Sequence, residues 1–301
     1  MKDIDPELFF RENLTPKGFA ITRAKERLES IRSGKTGFDS GLSALNRYFR
    51  LMPGELTVIG ARSGTGKTAI GMQIVYNVLC QLESSGRPGK VCVFSAEMDG
   101  ETLMLREACS LEKISLWDVQ TGKTTKEEDE RLNKRLESID DDRTLIDESS
   151  APTLEHMLNQ LEIVREEYGK IAFILFDYTE LSGEFERVES QRIAKISRGL
   201  KAIAKKYACP VLTLSQLNRE IEGRSDKTPT MRDLMHGGER EPDRIMIMVR
   251  PWLYDKTEHR ELVYAHIVKN RNGPIGEAVL LFRDEKMLFE SAEIIRSDLN
   301  E

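Results

Sequence analysis

The sequence predicts an α/β fold in which a mostly parallel sheet is covered by helices on both faces. Short runs of consecutive apolar residues alternate with longer segments whose apolar residues recur every three or four positions. Strands that are apolar throughout are typical of a parallel sheet buried on both faces, and the helices between them supply the cover. The last runs have no helix between them, so we expect them to extend the sheet as antiparallel hairpins. The predicted strands are 56–60, 91–95, 144–146, 171–176, 211–215, 245–249, 262–268 and 278–282.

The helical segments fill the intervals between most of these strands, and the pattern over 187–207 is the clearest. A further segment, 17–33, precedes the first strand and predicts a basic amphipathic helix that ends at a Ser-Gly pair. We therefore divide the chain into an N-terminal arm with this helix, 1–35, and an α/β domain, 36–301. The other predicted helices are 68–85, 100–111, 125–138 and 152–168.

Composition and charge limit the functions that the chain can have. Charged residues make up 32% of its 301 residues, above the roughly 25% of an average soluble protein. No apolar run approaches the roughly 18 residues of a membrane span, and no signal-peptide pattern is present, so we expect a cytoplasmic protein without membrane contact. The net charge of −6 argues against a generally basic nucleic-acid binder, but it leaves room for a local basic channel.

The cysteines and histidines show no metal-binding pattern. The cysteines have no CxxC spacing and three of them lie in apolar segments, so we expect reduced core residues. The histidines have no ligand spacing, and a structural metal is not expected. The residues concerned are Cys80, Cys92, Cys109, Cys209, His156, His236, His259 and His266.

The eight residues 61–68, with the sequence ARSGTGKT, predict a phosphate-binding loop. An apolar strand leads into the loop and an amphipathic helix leads out, which is the context that this motif requires. Backbone N–H groups and the helix N-terminus would hold the phosphates of ATP, Lys67 would reach the outer phosphates, and Thr68 would bind Mg²⁺. The usual pattern opens with Gly, and Ala61 stands there in this chain. The loop comprises Ala61, Arg62, Ser63, Gly64, Thr65, Gly66, Lys67 and Thr68.

Polar side chains follow three of the predicted strands. Glu97 closely follows one strand, and Asp177 and Gln216 come directly after two others. Ligands of a parallel sheet bind at the carboxyl ends of its strands, so we expect these residues near the phosphate loop. Asp177 is suited to bind Mg²⁺ through water, Glu97 to deprotonate an attacking water, and Gln216 to sense the γ-phosphate. Taken singly, Glu97 is equally explained as an acid at a helix N-terminus and Asp177 as a strand-end cap. Three strand ends on one loop favour the catalytic interpretation.

Four segments resemble motifs of the DnaB-type replicative helicases, in the order of that family. The segment 95–98 (SAEM), with Arg106 beyond it, is similar to the family's catalytic-glutamate segment, and 176–181 (FDYTEL) is similar to its IDYLQL strand end. The segment 214–220 (LSQLNRE) resembles the long third motif, and 268–274 (VKNRNGP) resembles the KxRNGPxG hairpin. The last two motifs are specific to that family.

The resemblance implies a RecA-like hexameric motor that hydrolyses ATP and moves 5′ to 3′ along single-stranded DNA. By position, Lys269 and Arg271 would reach the γ-phosphate bound by the neighbouring subunit. Two cations on one face of a strand, followed by a turn, suit such a finger, although a pair of this kind is also common on a solvated edge strand. The helix 17–33 would be the linker helix that docks on an adjacent protomer. The alternative for that helix is packing on its own domain.

The loop between Asn218 and Asp243 faces DNA in the family. The family usually has Arg-Glu-Ser-Gly where this chain has Met-His-Gly-Gly at 235–238, so side-chain contacts with phosphate are in doubt. Two backbone N–H groups, at Gly237 and Gly238, can still contact a phosphate. The DNA-binding candidates are Arg224, Arg232, Gly237 and Gly238.

We therefore expect an ATP-dependent DNA helicase subunit without the family's N-terminal collar domain, so primase binding does not carry over. The expected partners are single-stranded DNA, further copies in a homo-hexamer, and a loader or other replication proteins. The alternative is a RecA-like ATPase switch or loader that assembles on a protein partner without translocating. A small-molecule kinase is a third possibility, but the sequence shows neither the arginine-bearing lid nor the acceptor pocket that a kinase needs.

Overall fold

The computed structural model divides the chain into two units, Met1–Gly37 and Phe38–Glu301. In the first unit, helix α1 spans Lys17–Arg32 and confirms the predicted helix to within one residue. None of the residues of α1 is buried, and its apolar residues Ile21 and Leu28 are 46% and 47% exposed. The structure describes residues 17–48, 50–139, 142–218, 224, 228–234 and 239–292.

A mixed sheet forms the centre of the second unit. Its strands are β1 (Leu56–Ala61), β2 (Lys90–Ser95), β3 (Thr144–Asp147), β4 (Ile171–Asp177), β5 (Val211–Gln216), β6 (Arg244–Val249), β7 (Leu262–Asn270), β8 (Gly276–Arg283) and β9 (Leu288–Ser291). The order across the sheet is β3-β2-β4-β5-β1-β6-β7-β8-β9. Neighbours from β3 to β6 are parallel, and β6 to β9 are antiparallel. The mostly parallel sheet with antiparallel hairpins is therefore confirmed, while β9, with only four residues, is too short to show a sequence pattern.

Burial explains why the strands could be recognised. Every residue of β1, β2, β4 and β6 is buried, as expected for strands covered on both faces. Strands β7 and β8 instead alternate between buried and partly exposed residues over most of their length. The antiparallel part of the sheet thus has one face that is less completely covered.

Helices cover both faces of the sheet, as predicted. They are α2 (Ser43–Asn46), α3 (Lys67–Ser84), α4 (Gly100–Glu112), α5 (Leu116–Gln120), α6 (Lys126–Ser138), α7 (Leu154–Tyr168) and α8 (Glu189–Tyr207). Helix α3 contributes to one apolar cluster, and α7 and α8 contribute to a second. The short helices α2 and α5 are absent from the prediction, because four or five residues show no periodicity. No helix in the described ranges has the length and apolar character needed to cross a membrane.

The prediction of core cysteines is wrong for Cys80. Cys92, Cys109 and Cys209 are buried and free, but Cys80 is exposed. Cys80 lies two positions after the buried Val78 on α3, and a helix turns such a position about 200° away from its neighbour. The apolar neighbourhood in the sequence therefore did not reveal which side of the helix this cysteine occupies.

Candidate active site at the carboxyl edge of the sheet

The predicted phosphate loop connects β1 to α3. Gly64 and Gly66 have φ angles of 79° and 94°, which L side chains rarely adopt. A Cβ atom on Gly66 would also lie 2.8 Å from the Phe282 ring. Arg250 Nη1 donates to Gly64 O at 3.1 Å, and this hydrogen bond helps to hold the loop in place. No side chain caps the N-terminus of α3, which leaves its first N–H groups directed toward the loop, where a phosphate would bind.

The remaining loop residues differ in exposure. Ser63 is exposed at the tip of the loop, while Thr65 is only 1% exposed. Arg62 Nη1 donates to Leu217 O at 2.9 Å, just beyond β5. The loop is therefore tied to the neighbouring strand as well as to its own helix, and Ala61 fits within this arrangement as the buried last residue of β1.

Thr68 and Asp177 meet at the start of α3. Thr68 Oγ1 donates to Asp177 Oδ2 at 2.7 Å, and Asp177 is only 2% exposed. Its other oxygen, Oδ1, has no hydrogen-bond partner among the described residues. Burial, with a smaller contribution from the charge of Glu97, raises the pKa of Asp177 to about 6, against the Thr68 hydrogen bond and the charge of Lys67. A hydroxyl and a buried carboxylate oxygen without a partner are ligands that fit Mg²⁺.

The ammonium of Lys67 lies among acidic side chains. Lys67 Nζ donates to Ala61 O at 3.3 Å. Burial lowers the pKa of Lys67, and the nearby charges of Glu180, Asp177 and Glu97 partly oppose this shift. A lysine at this place can bind the outer phosphates of a nucleotide. Without a nucleotide, its positive charge is balanced by the nearby carboxylates.

Glu97 lies in the exposed turn between β2 and α4. Ala96 N donates to Asp177 O at 2.7 Å, which ties this turn to the end of β4. Asp99 caps α4 by accepting from Thr102 N, so the turn is held at both ends. Glu97 is solvent-exposed, and its charge acts on both Asp177 and Lys67, so its carboxylate lies near the phosphate loop.

Gln216 ends β5 beside Ala61, so the structure brings it to the same edge as the phosphate loop. Its N–H donates to Glu180 Oε1 at 3.0 Å, and Ser215 Oγ donates to the same oxygen at 2.6 Å. Glu180 Oε2 has no partner in the part of the chain that the structure describes, and burial raises the pKa of this carboxyl. Sequence reasoning assigned Glu180 no role, because only the short turn Thr179–Leu181 brings it back toward β5.

Lys269 and Arg271 lie at the opposite edge of the sheet. Arg271 N donates to Asp243 O at 2.9 Å, and Asp243 N donates to Leu56 O at 2.9 Å, at the amino end of β1. The phosphate loop begins at the other end of β1, roughly 17 Å away at about 3.3 Å per residue. These two cations are therefore not brought to the phosphate loop of their own chain.

Both side chains contact the segment that precedes β6. Lys269 Nζ donates to Glu239 O at 2.7 Å and to Arg240 O at 3.0 Å, and Arg271 Nη2 donates to Arg240 O at 2.9 Å. Arg271 also pairs with Asp243 at 3.5 Å and is 49% exposed. Burial, together with the charge of Arg271, lowers the pKa of Lys269. The hairpin thus carries two cations, one of them half-exposed, at the end of the sheet away from the chain's own predicted phosphate loop.

The DNA-binding candidates are only partly described. Gly237 and Gly238 lie outside the described residues. Arg232 is exposed in the turn Met231–Asp233, whereas Arg224 Nη2 donates to Asp233 Oδ2 at 2.7 Å. Arg224 is therefore engaged within its own loop, and Arg232 is the more accessible of the two cations.

Comparison with known proteins gives one consistent result. The family model described as DnaB-like helicase C terminal domain matches residues 37–291. The chain is 32% identical over 275 residues to the replicative DNA helicase DnaC of Bacillus subtilis (strain 168), covering 89% of this chain and 59% of the relative. It is 34% identical over 267 residues to the replicative DNA helicase DnaB of Pasteurella multocida (strain Pm70), covering 86% of this chain and 56% of the relative. The chain thus spans about three fifths of the length of these relatives.

Two solved structures share the fold. An ATPase domain of known structure superposes with a TM-score of 0.82 at 24% identity, over 93% of this chain and 100% of that domain. A DnaB-like replicative helicase, described together with its interactions with primase, gives a TM-score of 0.79 at 25% identity, over 93% of this chain and 68% of that chain. The predicted RecA-like fold is confirmed by these two neighbours.

Proposed function

The chain belongs to the DnaB-like helicase C terminal domain family, and from this premise we propose that it is a subunit of an ATP-dependent, replicative-type DNA helicase. The proposal has three parts: ATP hydrolysis at the phosphate loop, completion of that site by a second copy, and movement along single-stranded DNA.

The first part concerns the chemistry of ATP hydrolysis. The phosphate loop and Lys67 would bind the phosphates, and Thr68 and Asp177 would hold Mg²⁺, which supplies charge to stabilise the phosphoryl transfer when bound. Glu97 would orient and deprotonate the attacking water, since it is exposed and its charge acts on Lys67 of the loop. Gln216 would sense the γ-phosphate and transmit its loss to the segment that follows β5.

The second part concerns the missing cation of the site. Phosphoryl transfer is accelerated strongly by an arginine that approaches the γ-phosphate. Arg271 and Lys269 lie at the far end of β1, so the same residues can serve only the nucleotide of another copy. This separation is the observation that carries the proposal. A heterologous contact of this kind can repeat around a closed ring, which is the arrangement of the homo-hexamer expected for the family.

The third part concerns single-stranded DNA. The segment between Asn218 and Asp243 connects Gln216 with the strand that follows, so a change at the γ-phosphate can reach it. Arg232, which is exposed, and the backbone at Gly237 and Gly238 would hold phosphates of the strand, and a ring would sum several such weak contacts. We propose 5′ to 3′ movement, action in the cytoplasm, and a loader or other replication proteins as further partners.

The function is tested by measuring ATP hydrolysis and strand separation by the assembled protein. We expect single-stranded DNA to stimulate hydrolysis at low salt, and a duplex with a 5′ tail to be separated in preference to one with a 3′ tail. Stimulation should fall steeply with salt, because several phosphates are contacted per ring. Equal hydrolysis with and without single-stranded DNA would instead favour an ATPase switch or loader that responds to a protein partner.

A further inference from the structure

A buried ion pair lies at the amino end of the two central strands. Arg244, the first residue of β6, is 3% exposed, and Glu55, which precedes β1, is 7% exposed. Arg244 Nη2 donates to Glu55 Oε2 at 2.8 Å. Taking two charges out of water costs several kcal/mol per ion, so a buried pair of this kind gives little net stability. Its contacts point to another use.

Both neighbours of Arg271 are attached to this pair. Arg244 Nε donates to Asn270 Oδ1 at 3.2 Å, and Asn272 Nδ2 donates to Glu55 Oε1 at 2.6 Å. The amide of Asn270 also donates to Tyr48 O at 2.7 Å. The residues before and after Arg271 are therefore held by opposite members of one buried pair.

A second contact sets the direction of the Arg271 side chain. Asp243 pairs with Arg271 at 3.5 Å and with Lys201 at 2.6 Å, and it accepts from Leu56 N at 2.8 Å. Burial alone would raise the pKa of Asp243, but the hydrogen bonds from Lys201 and Leu56 N and the charge of Arg271 lower it. The carboxylate is thus held ionised next to the guanidinium.

We propose that the Arg244–Glu55 pair is a positioning element that sets where Arg271 is presented to the neighbouring copy. This inference rests on the proposed action of Arg271 on another copy's nucleotide. A group that stabilises transition-state charge must be held within about 0.5 Å of its productive position. The hairpin turn that carries Arg271 is exposed at residues 271–277, and Tyr48 holds its far side by donating from its hydroxyl to Glu277 O at 2.7 Å. Next to Arg271 itself, the directional hydrogen bonds to the buried pair supply the constraint.

Two variants remove the positioning element without removing Arg271. The double variant Arg244→Met/Glu55→Leu replaces both charges by apolar side chains, so no unpaired charge is left buried. Asn272→Ala breaks only the contact with Glu55, at an exposed position where the fold should be unaffected. Arg135→Met is the matched control, because Arg135 pairs with Glu112 at 2.7 Å on α6 and α4, away from this edge.

The readouts are ATP binding, ATP hydrolysis, and hydrolysis after mixing with Glu97→Gln copies, which lack the proposed base but keep an intact hairpin. We expect both positioning variants to bind ATP normally and to lose hydrolysis about 100-fold, as expected when a catalytic group is misplaced by about 1 Å. Mixing should restore part of the activity, because a variant's phosphate loop then meets a correctly held Arg271. The control should hydrolyse ATP like wild type.

Arg271→Ala, mixed in the same way, separates the two ways in which this account could fail. If Arg271→Ala is inactive alone and recovers on mixing, while the positioning variants hydrolyse ATP like wild type or fail to recover, the positioning role is wrong and the shared site stands. If Arg271→Ala keeps wild-type activity or does not recover, the shared site is wrong, and the positioning role falls with it.

Discussion

The two ends of β1 differ in whether their buried polar groups have partners within the chain. At the carboxyl end, buried acceptors of Asp177 and Glu180 have no partner among the described residues, and the pKa of Lys67 is lowered by burial. At the amino end, the side chains of Arg244 and Glu55 have partners within the chain. We propose that the carboxyl end leaves these groups for a cation and phosphates, whereas the side chains at the amino end hold the hairpin that carries Arg271. We call the carboxyl end, with the phosphate loop 61–68, Glu97, Asp177, Glu180 and Gln216, the receiving edge. We call the amino end, with Glu55, Arg244 and the hairpin that carries Arg271, the presenting edge.

Removing the guanidinium of Arg271, at the presenting edge, should change the hydrolysis rate most. Arg271→Ala should lower ATP hydrolysis by about 10³-fold or more, the range found for arginine fingers, because the transition-state charge loses its cation. Nucleotide binding should be nearly unchanged, since the phosphate loop is intact. Steady-state hydrolysis and the binding of a fluorescent ATP analogue measure the two quantities. Loss of binding together with hydrolysis would place Arg271 in the receiving edge and abolish the contrast.

The next effect comes from the receiving edge. Glu97→Gln should lower hydrolysis by about 10² to 10⁴-fold, as is typical for removal of a general base, and should retain ATP binding. Glu101→Gln is the matched control, because Glu101 is exposed in the first turn of α4 but has no proposed contact with the water. A wild-type rate in Glu97→Gln would show that another group activates the water.

A smaller effect concerns the pH dependence of stability that the buried carboxyl of Asp177 produces. Its pKa is raised from 3.8 to about 6 by burial, so as the pH rises the unfolded chain ionises first and the folded protein loses stability. Without Mg²⁺, the free energy of unfolding should fall by an amount on the order of 2–3 kcal/mol between about pH 4 and pH 6 through this group. The Asp177→Asn variant should lack this decline, so the difference in free energy of unfolding between the variant and wild type, measured by urea denaturation, should shift in favour of the variant from about pH 4 to about pH 6. An equal difference at both pH values would contradict the raised pKa.

A still smaller effect concerns the segment between Asn218 and Asp243, which we propose contacts single-stranded DNA. Replacing Gly238 by valine should remove the stimulation of hydrolysis by single-stranded DNA and spare the basal rate, because the added side chain would cover the backbone N–H proposed to contact phosphate. Hydrolysis with and without an oligonucleotide measures this. Stimulation that survives the substitution would assign the DNA contact to side chains such as Arg232.

Much of the receiving edge could be predicted from the sequence, because Glu97, Asp177 and Gln216 each follow an apolar strand directly or within a turn. Asp177 and Gln216 end β4 and β5, and parallel strands bring their carboxyl ends together without further information. The presenting edge could be predicted only through the family resemblance of its hairpin. The pairing of Glu55 with Arg244 joins residues far apart in the chain, and no periodicity or spacing signals it. Glu180 was missed because only the short turn Thr179–Leu181 brings it back toward β5, and no sequence pattern signals that return.

We propose that the receiving edge of one copy and the presenting edge of another form one site. Glu97→Gln and Arg271→Ala copies, each nearly inactive alone, should be co-assembled at varied ratios and their hydrolysis measured. In a ring of repeated contacts, up to about a quarter of the interfaces then combine an intact Glu97 with an intact Arg271, and activity should peak at equal amounts. A mixture that co-assembles, as native mass measurement would establish, yet hydrolyses no faster than its components at any ratio would contradict the claim.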